Sequence, residues 1–142
     1  MPTIADSRAV YGRLVQKGLT PAQACGVLGN MKQESCFQTD ALGFDGTGSL
    51  GLCQWLGPRK AGLIAFAKRT NRAPTDWTAQ VDWLFIELGT TETRAYHHLL
   101  LARTAKEAAV AFSTHFERPA AKYANNINRT LWAERFLRMY AS

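Results

Sequence analysis

The stretch Thr20-Pro21-Ala22-Gln23-Ala24-Cys25-Gly26-Val27-Leu28-Gly29-Asn30-Met31-Lys32-Gln33-Glu34-Ser35 reads as one complete helix. Thr20 supplies a capping oxygen. Pro21 suits the first helical position, whose N–H needs no partner, and Gln23 closes a capping box. Ala24, Leu28 and Met31 fall on one face. Glu34 follows Val27 by seven residues and Met31 by three, so its carboxyl shares the apolar side near the helix end.

Working outward, the rest of the chain repeats the helical period. Upstream, Val10, Leu14 and Val15 mark a helix from Ser7 to Lys17, stopped by Gly18. Downstream, Gly43, Gly46, Gly48 and Gly51 fall within nine positions around Asp45 and Thr47, which predicts a Gly-rich loop or a short β-hairpin. A loop of that length in a compact domain is usually functional. Pro58 opens a third helix, with Leu63, Ile64 and Phe66, ending near Asn71. Thr75 or Asp76 caps a fourth, which carries Trp77, Val81, Leu84, Phe85 and Leu88 and ends at Gly89. Thr91 to Leu101 is a fifth. Thr104 and Glu107 repeat the capping-box spacing before a sixth, broken by Pro119, and the last helix spans Ala121 to Tyr140. The expectation is a mainly α, single domain over residues 1–142, with about seven helices and the small hairpin or loop between the second and third.

Composition bounds the function. The chain has 142 residues, 46% hydrophobic and 20% charged, enough for one core. No apolar run approaches the roughly 20 residues that span a bilayer, so membrane insertion is not expected. The N-terminus has neither the basic nor the apolar segment of a signal peptide. A net charge of +6 draws the protein toward polyanions without choosing among them. Lys and Arg are scattered, and Arg129, Arg135 and Arg138 read as the basic outer face of the last helix. Cys25, Cys36 and Cys53 lack metal-ligand spacing. They read as reduced thiols, with Cys36–Cys53 the pair that flanks the site. Adjacent His97 and His98 point in different directions on a helix, so no metal is expected. No cofactor motif is present.

Glu34, Gln54 and Trp55 suit sugar chemistry. Breaking a glycosidic bond near neutral pH needs a carboxylic acid that keeps its proton, and burial against apolar groups supplies that condition. Ser35 can fix the helix end by bonding nearby backbone. Gln54 can hold a substrate amide or a water, and Trp55 offers a flat surface to a sugar ring. Asp45 is the first candidate for a second carboxylate and Asp40 the next. Glu117 either lines the cleft or partners Arg118 or Arg59. A Cys–His peptidase has no local signature here.

Glu34-Ser35 followed by Gly51-Leu52-Cys53-Gln54-Trp55 resembles the paired signature of the lysozyme superfamily. The set Gly29-Asn30-Met31, Glu34-Ser35, Gly51 to Trp55, Arg59, Leu63 and Phe66-Ala67 is most similar to the phage tail lysozyme group. Gln80, Phe85, Glu87-Leu88 and Phe116-Glu117-Arg118-Pro119 extend the likeness, which covers about Pro21 to Pro119. The resemblance implies a lysozyme-like fold that cleaves the glycan strands of bacterial peptidoglycan, with Glu34 as general acid. Asp45 or the substrate's acetamide would handle the developing positive charge, and Ser35, Gln54, Trp55 and Glu117 would serve substrate binding. It leaves open a lytic transglycosylase. It also implies a phage enzyme, released through a membrane hole or carried in the virion; the start at Met1 favours the released form. A monomer is expected. The rivals are a non-catalytic wall-binding module on the same fold and a nucleic-acid-binding protein.

Overall fold

A computed structural model describes residues 3–42 and 48–141. The helices are α1 (Ser7–Gln16), α2 (Pro21–Ser35), α3 (Pro58–Arg69), α4 (Trp77–Gly89), α5 (Thr93–Leu101), α6 (Ala105–Phe112), α7 (Ala121–Ala124) and α8 (Asn126–Tyr140). A single π-helical turn, Ser113–Glu117, extends α6. Seven of these helices have eight or more residues, matching the number expected from the sequence.

Helix α2 forms as its capping residues dictate. The Gln23 N–H donates to Thr20 Oγ1 at 3.2 Å, and the Thr20 N–H donates to Gln23 Oε1 at 3.1 Å. Every residue from Gln23 to Met31 is buried, so α2 runs through the centre rather than along one side. It packs chiefly against α6 and α8. Its glycines permit that approach: a Cβ on Gly29 would lie 2.3 Å from the Arg129 carbonyl oxygen, and one on Gly26 would lie 2.4 Å from Ala108 Cβ. The helix ends at Cys36, which adopts the left-handed conformation at φ 50°, an arrangement that costs a non-glycine residue about 1–2 kcal/mol.

Two expected helices break, both where they border the cleft. The helix expected from Ala121 to Tyr140 is interrupted at Asn125, which sits at φ 42° and caps α8 through its side chain on the Asn128 N–H. The stretch before Pro119 widens from α to π geometry. The second capping box is half formed. Thr104 Oγ1 accepts from the Glu107 N–H, but the Glu107 carboxylate reaches back to Arg103 rather than to Thr104.

Between α2 and α3 the chain holds isolated bridges, Leu42 with Leu50 and Leu50 with Trp55, and no strand among the described residues. These bridges hold the described part of the connection together. Gln80 on α4 pins it. Its Nε2 donates to the carbonyls of Thr39 and Pro74, while its Oε1 accepts from the Leu52 N–H at 3.0 Å. Gly51, at φ 84°, passes so close that a Cβ there would meet Gln80 at 2.7 Å. Asp45 lies outside the described residues.

Candidate active site

Glu34 stands at the C-terminal end of α2, where exposed carbonyls disfavour a carboxylate. A buried arginine offsets this. Arg129 on α8 donates from Nη2 to Glu34 Oε2 at 2.8 Å, with side-chain exposures of 1% and 16%. Each nitrogen of the guanidinium finds an acceptor. Nη1 donates to Asn30 Oδ1 at 2.9 Å, Nε to the Ala124 carbonyl at 2.5 Å and Nη2 also to the Tyr123 carbonyl at 3.2 Å. The last two carbonyls are those released by the helix break at Asn125. Asn30, wholly buried inside α2, donates in turn to the carbonyls of Gly26 and Ala109. Arg129 is thus no part of a basic outer face. It lies on the stripe of Ala133 and Phe136, and its burial is tolerated because each guanidinium nitrogen has an acceptor.

Glu34 and Arg129 border a cavity of about 540 Å³, whose walls also include Gln54, Arg59, Glu117 and Tyr123. Arg59, at the start of α3, forms a fork with buried Glu87 of α4: Nε to Oε2 at 2.7 Å and Nη2 to Oε1 at 3.2 Å. Its Nη1 donates to the Phe116 carbonyl, which ties α3 to the π turn. Glu117 ends that turn, and its Oε2 is shut off from solvent with no hydrogen-bond partner. Burial first, and then the charge of Glu34, pushes the Glu117 carboxyl well above the usual range, with Arg129 and Arg59 opposing in part.

The expected binding residues divide. Gln54 and Glu117 line the cavity. The Gln54 amide nitrogen is committed to the carbonyls of Ala41 and Gly51, which leaves Oε1 as the atom it can offer a ligand. Trp55 does not present a ring face. It is 1% exposed, and its Nε1 donates to Glu87 Oε1 at 2.6 Å, because the bridge with Leu50 turns the indole into the core. Ser35 is also buried, donating to the carbonyls of Met31 and Leu52. It fastens the loop to the end of α2, as its backbone-bonding role predicts, and makes no wall of the cavity. Asp40 is not on the cavity wall either; it accepts from the Thr3 N–H at 3.2 Å. Cys36 is exposed and Cys53 buried, and the three cysteines are free thiols. Burial, with Glu117 and Glu87 nearby, pushes the Cys53 thiol well up, which removes it as a thiolate nucleophile.

Sequence reasoning missed Asn30, Arg129 and Tyr123 as site residues. For Arg129 a signal existed, since the spacing 129, 133, 136 and 140 matches the buried stripe of α8. Asn30 sat in the quoted motif, within an apolar helix, where a polar side chain needs partners. Tyr123 carried no signal, because the break that brings α7 to the cleft depends on Asn125.

A small helical domain whose central helix ends in an acid, with a second acid lining the same cavity, is consistent with the lysozyme-like class. The sequence profile described as phage tail lysozyme matches residues 5–140. The chain belongs to that family, which places it among phage lysozyme-type cell-wall hydrolases. No curated protein gives a significant match. No helix among the described residues is long and apolar enough to cross a membrane.

Proposed function

We propose that this cleft cleaves the β-1,4 bond between N-acetylmuramic acid and N-acetylglucosamine in bacterial peptidoglycan. The observation that carries the reading is Glu34, held at the rim of a glycan-sized cavity that Glu117 also lines. Glu34 delivers the proton to the leaving oxygen. Gln54 Oε1 and Glu117 orient the sugar, and Tyr123 takes the ring-facing part that the sequence had suggested for Trp55. Ser35 acts by fixing the loop. Asp45 or the substrate acetamide stabilises the positive charge at C1. With Asp40 tied to Thr3, the acetamide route gains weight, and with it the lytic transglycosylase.

The basic surface favours docking on an anionic wall, and the family's description as a tail lysozyme supports carriage in the virion over release as an endolysin. The protein acts as a monomer, without metal or cofactor. Digestion of purified peptidoglycan followed by mass spectrometry tests the reading. Reducing-end muropeptides indicate hydrolysis, and products lighter by one water indicate transglycosylation. Binding without soluble products indicates a wall-binding module. Salt-sensitive binding to duplex DNA without products indicates a nucleic-acid protein.

A further inference from the structure

A smaller cavity, of about 310 Å³, shares Arg118 with the cleft. The π turn accounts for the shared residue. Glu117 closes the turn on the cleft, and the guanidinium of the next residue, Arg118, reaches Glu92 just ahead of α5. His115, from the same turn, lines the smaller cavity. Its ring stacks on His98 of α5, with centroids 3.8 Å apart and planes within 6°. Arg118 Nη1 also donates to the His115 carbonyl at 2.6 Å. The stack and this bond hold the turn against α5, so the cavity needs little ordering to accept a ligand.

The charges around this cavity do not balance. Glu92 is the one acid among its lining residues, and Arg118 already takes it, Nη1 to Oε1 at 2.6 Å and Nη2 to Oε2 at 3.4 Å. Arg94, exposed in the first turn of α5, makes no hydrogen bond or ion pair among the described residues. Desolvation first, then His98 and Arg94, lower the His115 imidazole below its ordinary 6.5, so the ring is neutral at pH 7. Two guanidiniums against one carboxylate leave one positive charge in excess, and Thr114 adds a hydroxyl to the lining. That set fits a carboxylate, which a guanidinium can hold through two parallel N–H bonds.

Peptidoglycan carries carboxylates at a fixed place relative to its sugars. Each muramic acid bears, on its lactyl ether, a short acidic peptide. We propose that the smaller cavity receives a carboxylate of that peptide branch, recognised by Arg94 and Arg118, while the glycan lies in the cleft. The inference rests on the cleft holding a peptidoglycan strand. A branch that leaves the cleft past Arg118 meets Arg94 and His115 next, because Arg118 lines both cavities. Recognition of the strand is then shared between its sugars and its peptide, and strands without the peptide bind less well.

The test measures KM and kcat on glycan strands that keep their acidic peptides and on strands stripped of them by an amidase, for the wild type, Arg94→Glu and Lys106→Glu. Lys106 is exposed on α6 and lines neither cavity, and its variant makes the same change in net charge. Arg94→Glu is expected to raise KM for peptide-bearing strands about threefold or more relative to stripped ones, the effect of an exposed charge pair, with kcat kept. Lys106→Glu is expected to leave that ratio at its wild-type value. An equal effect of the two variants, or none for Arg94→Glu, overturns the inference and leaves the cleavage reading intact. A muramyl peptide, which has no bond between sugars to cleave, reads binding directly. Added to the ¹⁵N-labelled wild type, it is expected to shift the amides of residues 91–95 and 114–118 with its carboxylates free and not with them amidated. Equal shifts for both forms, or shifts only with a phosphate-bearing wall polymer, overturn the inference. Shifts with the acidic form alone, in a protein that cleaves neither kind of strand, overturn the cleavage reading alone.

Discussion

Replacing Arg129 with methionine tests whether the arginine organises the site or merely decorates α8. The side chain is 1% exposed and donates to Glu34, Asn30, Ala124 and Tyr123. Methionine fills similar length but removes every donor. Breaking a buried ion pair from one side costs about 3–5 kcal/mol, because the remaining charge is left uncompensated. The orphaned Asn30 oxygen and the two carbonyls would each add about 1–3 kcal/mol if none relaxed to water. Glu34 retains 16% exposure and sits at a cavity, so part of that cost is relieved by hydration. We therefore expect a net loss of about 3–5 kcal/mol, a large share of the roughly 5–15 kcal/mol that holds a domain folded. Arg129→Lys should lose less, keeping the charge but not the planar fork. Arg138→Met, on the exposed side of the same helix, should change stability by less than about 0.5 kcal/mol. Urea denaturation followed by circular dichroism measures all three. A loss of less than about 1 kcal/mol for Arg129→Met, the size of one ordinary hydrogen bond, would refute the reasoning.

Further predictions follow from the packing and the charges. Gly29→Ala drives a methyl into the α8 backbone at 2.3 Å from the Arg129 carbonyl, and should cost about 1–3 kcal/mol as an overpacking change, read as a fall in melting temperature. Asp82 gathers Arg13, Lys17 and Arg72 within 3.0 Å. Burial would raise its carboxyl, but hydrogen bonds from those three cations hold it far below its ordinary 3.8. That stability is present above the unfolded value and is lost as pH falls through the depressed folded one, so Asp82→Asn should destabilise at pH 6 and lose its effect in strong acid. Glu117 has the opposite sign. With its carboxyl raised above the ordinary 4.5, the folded state holds that proton more tightly than the unfolded chain. Glu117→Gln should therefore raise the melting temperature at pH 7 and leave it unchanged near pH 4, as differential scanning calorimetry would show.

The helical fold was legible because its signals are local. Thr20, Pro21 and Gln23 define the start of α2, and Val10 with Leu14, or Leu84 with Leu88, announce a buried face through spacing alone. Glu34 was legible because an acid closing an apolar helix and preceding a Gly-rich loop is an unusual combination. Its neighbours were not, since Arg129 lies 95 residues away and its burial depends on the acceptors that gather around it. Trp55 was misread for a related reason. An indole beside a catalytic-looking glutamine suggests a platform, yet its N–H finds Glu87, 32 residues on, and the ring follows that bond into the core. The breaks at Asn125 and Ser113–Glu117 escaped period counting because each exists to serve contacts across the cleft.

The central claim is that Glu34 delivers the proton that cleaves the glycan. The direct measurement is release of soluble fragments from dye-labelled sacculi by the wild type and by Glu34→Gln, with both proteins shown folded by thermal melts. The account predicts release by the wild type and a loss of about 10²–10⁴-fold in the variant, the range that a general acid supplies. Equal release by the two folded proteins would contradict it.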